Sequence, residues 1–180
     1  KPNNMKYVTI HGIPVPAVGL GTWQLNGEIC IAAVEHALSI GYRHIDTAQV
    51  YDNEREVGRA LRTGRVDRDK IFLTTKIAPV NFARNNIITS THQSLKRLGT
   101  EYVNLLLLHW PSRAIALEET LGALLELKQS GQIRHIGLSN FSASEVEQAS
   151  RYAPIFCNQV EYHPYLAQPE LLAQAREINY

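Results

Sequence analysis

The sequence predicts an α/β fold built on a parallel sheet, and three observations lead to that prediction. Short β-rich runs alternate six times with longer stretches of helical period, which is the order of a parallel sheet with crossover helices. Residues 105–108 are consecutive leucines, apolar on both faces, as expected for a parallel strand covered on both sides. Glycines lie just past four of the helical segments, where a left-handed residue commonly ends a helix.

The N-terminal region departs from this alternation and is predicted to form a β-hairpin over residues 7–15. Gly12 supplies the positive φ that a two-residue turn requires. The six strands after the hairpin are predicted at residues 17–20, 43–46, 71–76, 103–108, 133–138 and 155–160. A helical segment follows each strand, and the first two helices are predicted near residues 28–40 and 54–63.

The helix boundaries support this division of the chain. The glycines expected in the left-handed conformation are Gly41, Gly64, Gly99 and Gly131. Capping boxes are predicted at two helix starts, Asn53 with Glu56 and Ser142 with Glu145. Units of roughly 30 residues match the repeat of a TIM barrel of ~250 residues, but a doubly wound open sheet shows the same alternation. The pattern alone therefore leaves both architectures open.

Composition narrows the class of protein. With 44% hydrophobic and 19% charged residues, the chain is typical of a soluble globular domain. The net charge of +1 provides no broad field for nucleic acid or a membrane surface, so the expected partner is a small molecule. Neither an apolar run of ~20 residues nor a signal-peptide h-region in residues 1–7 is present. Cys30 and Cys157 are expected to be free thiols, and a cytoplasmic location is predicted.

Polar residues lie at or just past one end of the predicted strands. The residues in these positions are Asp46, Lys76, His109, Ser139, Asn140 and Gln159. Taken singly, each has an ordinary structural explanation, such as a helix cap, a solvated strand end or a turn. In a parallel barrel, however, all of these strand ends face the same mouth, so the residues are expected to converge there. No histidine or cysteine has metal-ligand spacing, and no metal site is expected.

Six blocks of sequence resemble the aldo-keto reductase family, in order and over nearly the whole chain. They are Gly-Leu-Gly-Thr-Trp at 19–23, Arg-His-Ile-Asp-Thr-Ala-Gln-Val-Tyr-Asp-Asn-Glu at 43–54, Thr-Thr-Lys at 74–76, Leu-His-Trp-Pro at 108–111, Gly-Leu-Ser-Asn-Phe at 137–141 and Asn-Gln-Val-Glu at 158–161. Within the family, the second block and the short connection after Trp110 are most similar to the bacterial 2,5-diketo-gluconic acid reductase group.

The resemblance implies a (β/α)8 TIM barrel with an N-terminal hairpin, of which this chain carries about six βα units. Residues 1–180 are then a single barrel domain, truncated before the seventh unit, and the full-length protein is expected to be a monomer. Two missing units would leave two strand edges unpaired and would expose apolar barrel interior. We therefore expect the 180 residues alone to fold poorly and to bind cofactor weakly.

The family's catalytic tetrad corresponds to Asp46, Tyr51, Lys76 and His109. Hydride delivered to a carbonyl carbon leaves negative charge on oxygen, so a proton donor is needed there, and Tyr51 is its expected source. A neighbouring ammonium favours the phenolate that remains, which is the role expected of Lys76. Asp46 is expected to keep Lys76 charged and oriented. His109 is expected to be a neutral hydrogen-bond donor to the substrate oxygen.

The resemblance also implies NADPH as cofactor and a small carbonyl compound as substrate. The residues expected to bind cofactor are Gly21, Thr22, Asp46, Ser139, Asn140 and Gln159, with the last three at the nicotinamide carboxamide. Trp23 and Trp110 are expected to wall the substrate pocket beside Tyr51 and His109. Relatives with an aromatic residue shortly after the lysine differ from this chain, which has Ile-Ala-Pro at 77–79, so a wider pocket is expected. Small aldehydes, 2-oxoaldehydes and keto-sugar acids fit such a site.

Two other functions remain alternatives at this stage. Lys76 could form a Schiff base in an aldolase, since lysines at barrel strand ends perform that chemistry. Pairing with Asp46 argues against it, because an anion keeps the amine protonated when a nucleophile must lose that proton. The chain could instead be a cofactor-binding regulatory module, against which the intact tetrad argues.

Overall fold

The computed structural model describes residues 5–180. Residues 1–4, part of the segment expected to lack a signal peptide, lie outside the described residues. The chain opens with the predicted hairpin, in which β1 (Tyr7–Ile10) pairs antiparallel with β2 (Ile13–Pro16). His11 and Gly12 form the turn with φ of 48° and 78°, so both have the positive φ of a turn that matches the strand twist.

Six parallel strands form one sheet in sequence order. They are β3 (Leu20–Gly21), β4 (His44–Asp46), β5 (Phe72–Ile77), β6 (Val103–Leu108), β7 (Ile133–Ser139) and β8 (Ile155–Gln159). The helices are α1 (Gly27–Ile40), α2 (Glu54–Thr63), α3 (Arg84–Leu98), α4 (Leu117–Gln129), α5 (Ala143–Ser150) and α6 (Pro169–Ile178). Within residues 5–180, β3 and β8 each pair along one side, so both edges of the sheet are open.

The first sheet strand lies later than the sequence predicts. The prediction placed it at residues 17–20, whereas β3 begins at Leu20. The Ala17 N–H donates to the Lys6 carbonyl at 2.8 Å, so this residue extends the hairpin and does not join the parallel sheet. The later start brings Gly21 into register with Asp46 of β4.

Two apolar cores lie on opposite faces of the sheet. The larger core is between the outer strand faces and the helices, and includes Ile45, Leu73, Leu106, Leu124 and Leu138. The smaller core lies on the inner face against the hairpin, and consists of Val15, Phe72, Leu105, Leu107 and Phe156. The hairpin therefore covers the inner face at the amino ends of the strands and leaves their carboxyl ends free.

Three of the four glycines predicted to be left-handed after a helix have that conformation. Gly41, Gly99 and Gly131 have φ of 109°, 64° and 79°. Gly64 does not, because its φ is −63° and its backbone is extended. A Cβ at that position would lie 2.9 Å from the Ala60 carbonyl oxygen, so close packing accounts for glycine there.

One of the two predicted capping boxes forms. Ser142 accepts a hydrogen bond from the Glu145 N–H at the start of α5, and Glu145 accepts one from the Ser142 N–H. Asn53 precedes α2 but makes no side-chain cap, so the prediction of a capping box with Glu56 is wrong. The side chain of Asn53 is fully buried and bonds elsewhere, which is the physical reason for the difference.

Both cysteines are free thiols, and burial raises their pKa values to about 11 for Cys30 and about 12 for Cys157. None of the helices within residues 5–180 combines the length and the hydrophobicity needed to span a bilayer.

Candidate active site

A buried lysine is the centre of the polar cluster at the carboxyl ends of the strands. Lys76, near the end of β5, is 2% exposed, and its Nζ forms a salt bridge with Asp46 Oδ1 at the end of β4. The same ammonium donates to the Thr47 carbonyl at 3.1 Å and to Tyr51 Oη at 3.4 Å. A buried ammonium needs such partners because removing it from water is costly. The structure thus brings Asp46, Lys76 and Tyr51 into one hydrogen-bonded group.

Tyr51 lies on a short 3-10 turn, Gln49–Tyr51, that connects β4 to α2. The side chain of Gln49 fixes this turn to the segment that follows Lys76. Its Oε1 accepts from the Ala78 N–H at 3.1 Å and from Asn81 Nδ2 at 3.0 Å. The connection after β4, which carries Tyr51, is therefore joined to the connection after β5, which follows Lys76.

His109 follows β6 and lies beside Tyr51, with ring centroids 5.6 Å apart and planes at 78°. Burial, and then the Lys76 charge, lower the pKa of His109 to about 4, so the ring is neutral at pH 7. Its Nδ1 is buried and has no hydrogen-bond partner among residues 5–180. Most buried polar side-chain atoms in proteins have a partner, so this unpaired nitrogen is an exception.

Ser139, Asn140 and Gln159 form a second polar group beside the first. Asn140 has a φ of 63° and donates from Nδ2 to the His109 carbonyl at 2.9 Å. Gln159 lies across the mouth from β4, and its Nε2 donates to Asp46 Oδ2 at 2.9 Å. All three residues predicted for the carboxamide therefore lie at the mouth, with Ser139 buried and the two amides accessible.

An irregularity in β8 determines which way Gln159 faces. Ile136 pairs with Ile155 and Leu138 pairs with Asn158, so β8 contains one residue more than β7 over this stretch. Phe156 faces the inner core, yet Asn158 bonds Phe141 on the other side and Gln159 faces inward again. Strict alternation would place residues 156 and 158 on one face, so the extra residue is what brings Gln159 to Asp46.

Gly21 ends β3 at the same mouth, and Thr22 and Trp23 follow it. Thr22 donates from its backbone N–H to the Asp46 carbonyl at 2.9 Å and from its hydroxyl at 3.1 Å. Nothing lies within 4 Å of the position that a Cβ on Gly21 would occupy, so this part of the rim is open. Trp23 is 67% exposed, and Trp110 is 44% exposed with its ring stacked on His109 at 3.7 Å. Both tryptophans lie at the rim, and their contact with substrate stays a prediction.

Sequence reasoning missed the supporting roles of Asn53 and Glu54. Glu54 is 1% exposed and pairs with Arg97 of α3 at 2.7 Å. It also accepts a 2.6 Å hydrogen bond from Thr75, whose side chain faces outward beside inward-facing Lys76. The available signal was that both residues lie within three positions of Tyr51, in the block that resembles the family.

The residues present fit a nicotinamide cofactor in their chemistry. A carboxamide offers a donor and an acceptor, and neutral amide and hydroxyl groups at Ser139, Asn140 and Gln159 match it. Across residues 5–180, no group of three or more His, Cys, Asp or Glu side chains is placed to hold a metal ion.

A parallel sheet with helices outside and a lysine–tyrosine–histidine cluster at the carboxyl ends of its strands is the arrangement of a (β/α) barrel with a polar site at its mouth. The model of the aldo/keto reductase family matches residues 17–179. The chain belongs to this family, which confirms the predicted (β/α)8 barrel class with an N-terminal hairpin and six βα units in this chain.

Relatives support the narrower resemblance. The chain is 44% identical over 167 residues to the methylglyoxal reductase DkgB of Salmonella typhi, covering 90% of this chain and 62% of that protein. It matches a solved structure assigned to a 2,5-diketo-D-gluconic acid reductase B with a TM-score of 0.94 and 44% identity, over 98% of this chain and 63% of that one. The similarity to the diketo-gluconic acid reductase group is confirmed.

A third match is an aldo-keto reductase from Bombyx mori in complex with NADP, with a TM-score of 0.90 and 32% identity, over 97% of this chain and 64% of that one. The chain thus spans slightly more than three fifths of the length of each of these three proteins.

Proposed function

We propose that the protein reduces small aldehydes or ketones to alcohols with NADPH, and that Tyr51 is the proton donor. The observation that carries the proposal is the contact of Tyr51 Oη with the buried Lys76 ammonium at 3.4 Å, next to a neutral His109. A phenol beside an ammonium is suited to give up a proton, and a neutral imidazole can donate a hydrogen bond without competing as an acid.

The residues would act as follows during reduction. A bound nicotinamide would supply hydride to the carbonyl carbon. Tyr51 gives its proton to the carbonyl oxygen as negative charge develops there, and Lys76 stabilises the phenolate that remains. Asp46 holds the Lys76 ammonium in position through their salt bridge. His109 donates a hydrogen bond that orients the carbonyl and stabilises the developing oxyanion.

Cofactor affinity would depend on the second polar group. Ser139, Asn140 and Gln159 are proposed to hold the carboxamide, while Gly21 and Thr22 form the adjoining wall toward the ribose. Gln159 already donates to the same Asp46 whose other oxygen binds Lys76, so the cofactor site and the proton-donor site share one carboxylate. The NADP complex of the Bombyx mori relative supports the choice of cofactor.

For the substrate, we propose 2-oxoaldehydes and keto-sugar acids, with methylglyoxal as the first compound to test. The name of the DkgB relative, a methylglyoxal reductase, supports this choice. The exposed rim formed by Trp23 and Trp110 also supports it. A site with an exposed rim buries little of a large apolar substrate, so such a substrate would bind weakly.

We also propose that the functional protein contains further βα units and is monomeric. The unpaired edges of β3 and β8 support the further units, since open strand edges favour aggregation. The monomeric state is a prediction from the sequence. The cytoplasmic location remains a prediction from the sequence.

The test is a steady-state assay of the full-length protein with a carbonyl panel and with NADPH or NADH. We expect methylglyoxal-dependent oxidation of NADPH with equimolar alcohol formation. Cofactor binding without turnover of any carbonyl would support a regulatory module instead. Trapping of Lys76 by borohydride in the presence of substrate would support an aldolase.

A further inference from the structure

The rim residue Trp23 stands on a tight turn that is held in an unfavourable conformation. The turn runs from Thr22 to Leu25, whose N–H donates to the Thr22 carbonyl at 3.0 Å. Its third residue, Gln24, has a φ of 62° and an exposed side chain. A residue other than glycine keeps a positive φ in such a turn when its surroundings hold it there. Something outside the turn must therefore fix its ends.

The side chain of Asn53 makes those external contacts. Its two amide hydrogens go to the two ends of the turn, with Nδ2 2.7 Å from the Thr22 carbonyl oxygen and 2.8 Å from the Leu25 carbonyl oxygen. Its Oδ1 accepts from the Thr47 hydroxyl at 2.7 Å, which orients the amide. Asn53 is 0% exposed, so water does not compete for these bonds. One planar amide thus bridges both carbonyls of the turn.

The position of Asn53 in the chain links the turn to Tyr51. Asn53 lies two residues after Tyr51, at the start of α2, and makes no helix cap. We propose that Asn53 is a positioning residue that clamps the Trp23 turn to the Tyr51 segment and so sets the width of the substrate entrance. The proposal deepens, and rests on, the carbonyl reductase function. Bulky substrates should depend on the clamp more than small ones, because they contact Trp23 over more area.

The experiment compares Asn53→Ala with wild type in the full-length protein, using benzaldehyde and methylglyoxal as substrates. The KM for benzaldehyde should rise about fivefold or more, with kcat and the KM for methylglyoxal changed less than about twofold. Acrylamide quenching of Trp23, taken as the difference from matched Trp23→Phe proteins, should also change. Asn104→Ala is the matched control, because that asparagine accepts from the Leu73 N–H and Arg68 at the opposite end of the strands.

A rescue variant separates positioning from general stability. Glycine adopts a φ of 62° without strain, so Gln24→Gly added to Asn53→Ala should restore the benzaldehyde KM toward wild type. Equal losses for both substrates, with unchanged Trp23 quenching and no rescue, would show a merely structural residue and overturn the proposal.

Two further arms cover the remaining outcomes. If Asn53→Ala does not fold, Thr47→Val removes the bond that orients the amide, and it should shift the substrate ratio and the quenching in the same direction by less. An unchanged ratio and unchanged quenching in that variant would overturn the clamp. An inactive wild type would contradict the proposed function. The quenching measurement would still show whether Asn53 holds the Trp23 turn, because it needs no turnover.

Discussion

The two ends of the same parallel strands have opposite chemistry. At the amino ends, β5 and β8 contribute Phe72 and Phe156 to a small apolar core that the hairpin covers. At the carboxyl ends, β4 and β5 contribute Asp46 and Lys76, an ion pair with the lysine buried. We refer to the first as the floor and to the second as the mouth.

This difference separates what stabilises the protein from what we propose it does. Burial of aromatic side chains on the floor contributes favourable free energy, whereas a buried ammonium is costly and is retained where its charge is needed. Changes on the floor should therefore alter the free energy of unfolding without altering chemistry. Changes at the mouth should mainly alter chemistry or substrate preference, with smaller effects on the free energy of unfolding.

The largest expected effect at the mouth is that of Tyr51→Phe. Loss of the proton donor should reduce kcat by roughly two to four orders of magnitude, while the Kd for NADPH and the free energy of unfolding stay near wild type. Tyr102→Phe is the control, since that ring lies away from the cluster between the guanidinium groups of Arg68 and Arg134. More than a tenth of wild-type kcat in Tyr51→Phe would refute the assignment.

On the floor, Phe156→Ala should mainly reduce stability. Phe156 is 5% exposed and stacks on His135 at 4.2 Å, so its loss should lower the free energy of unfolding by about 3–5 kcal/mol. The kcat of the folded protein should change less than about twofold, because the side chain lies at the far end of the strand. Urea unfolding and kinetics on one preparation check both parts. A large loss of kcat with an unchanged free energy of unfolding would contradict the claim that floor residues affect stability and not chemistry.

A smaller effect is expected from Trp110→Ala at the rim. The ring is 44% exposed, so stability should change little, but loss of its face should raise KM for aromatic aldehydes more than for methylglyoxal. We expect a difference of several-fold, corresponding to about 1 kcal/mol. Equal changes for both substrates would mark Trp110 as a structural residue that supports His109.

The smallest effect concerns pH. The pKa of His109 is about 4 against an ordinary value of 6.5, so between these values the unfolded chain binds a proton that the folded protein does not. The free energy of unfolding should therefore fall as pH falls from 6.5 toward 4. His135 on the floor has a pKa lowered in the same direction, mainly by burial, and adds to the slope. His109→Gln should give a shallower dependence in urea unfolding at several pH values, and an unchanged slope would contradict this account.

Most of the fold could be predicted because local patterns and tertiary packing agree. The strands predicted at 43–46, 103–108 and 133–138 have ends that match the structure within one residue. The first strand was misplaced because residues 17–19 are equally compatible with extending the hairpin, which is what Ala17 does.

The site residues that could be predicted are those whose position is determined by the end of a strand. Asp46, Lys76 and His109 lie at or just past the ends of predicted strands, and the barrel topology brings them together. The hydrogen bonds of Asn53 could not be predicted, because its partners Thr22 and Leu25 are distant in sequence and its local pattern matches a helix cap. Long-range hydrogen bonds of one buried amide leave no periodic signal.

Because β8 contains one extra residue, the direction in which Gln159 faces depends on the number of residues in the strand more than on their identity. Ile136 and Leu138 of β7 are two residues apart, but their partners Ile155 and Asn158 are three apart. Deleting one residue there would keep every hydrogen-bonding strand in the sheet and yet turn Gln159 outward, away from Asp46. A substitution at the same place removes one side chain, whereas a deletion reverses the facing of all that follow. A sequence alignment with a relative that lacks the extra residue needs a gap in this strand. Without the gap, the alignment would match the wrong residue of the relative to Gln159.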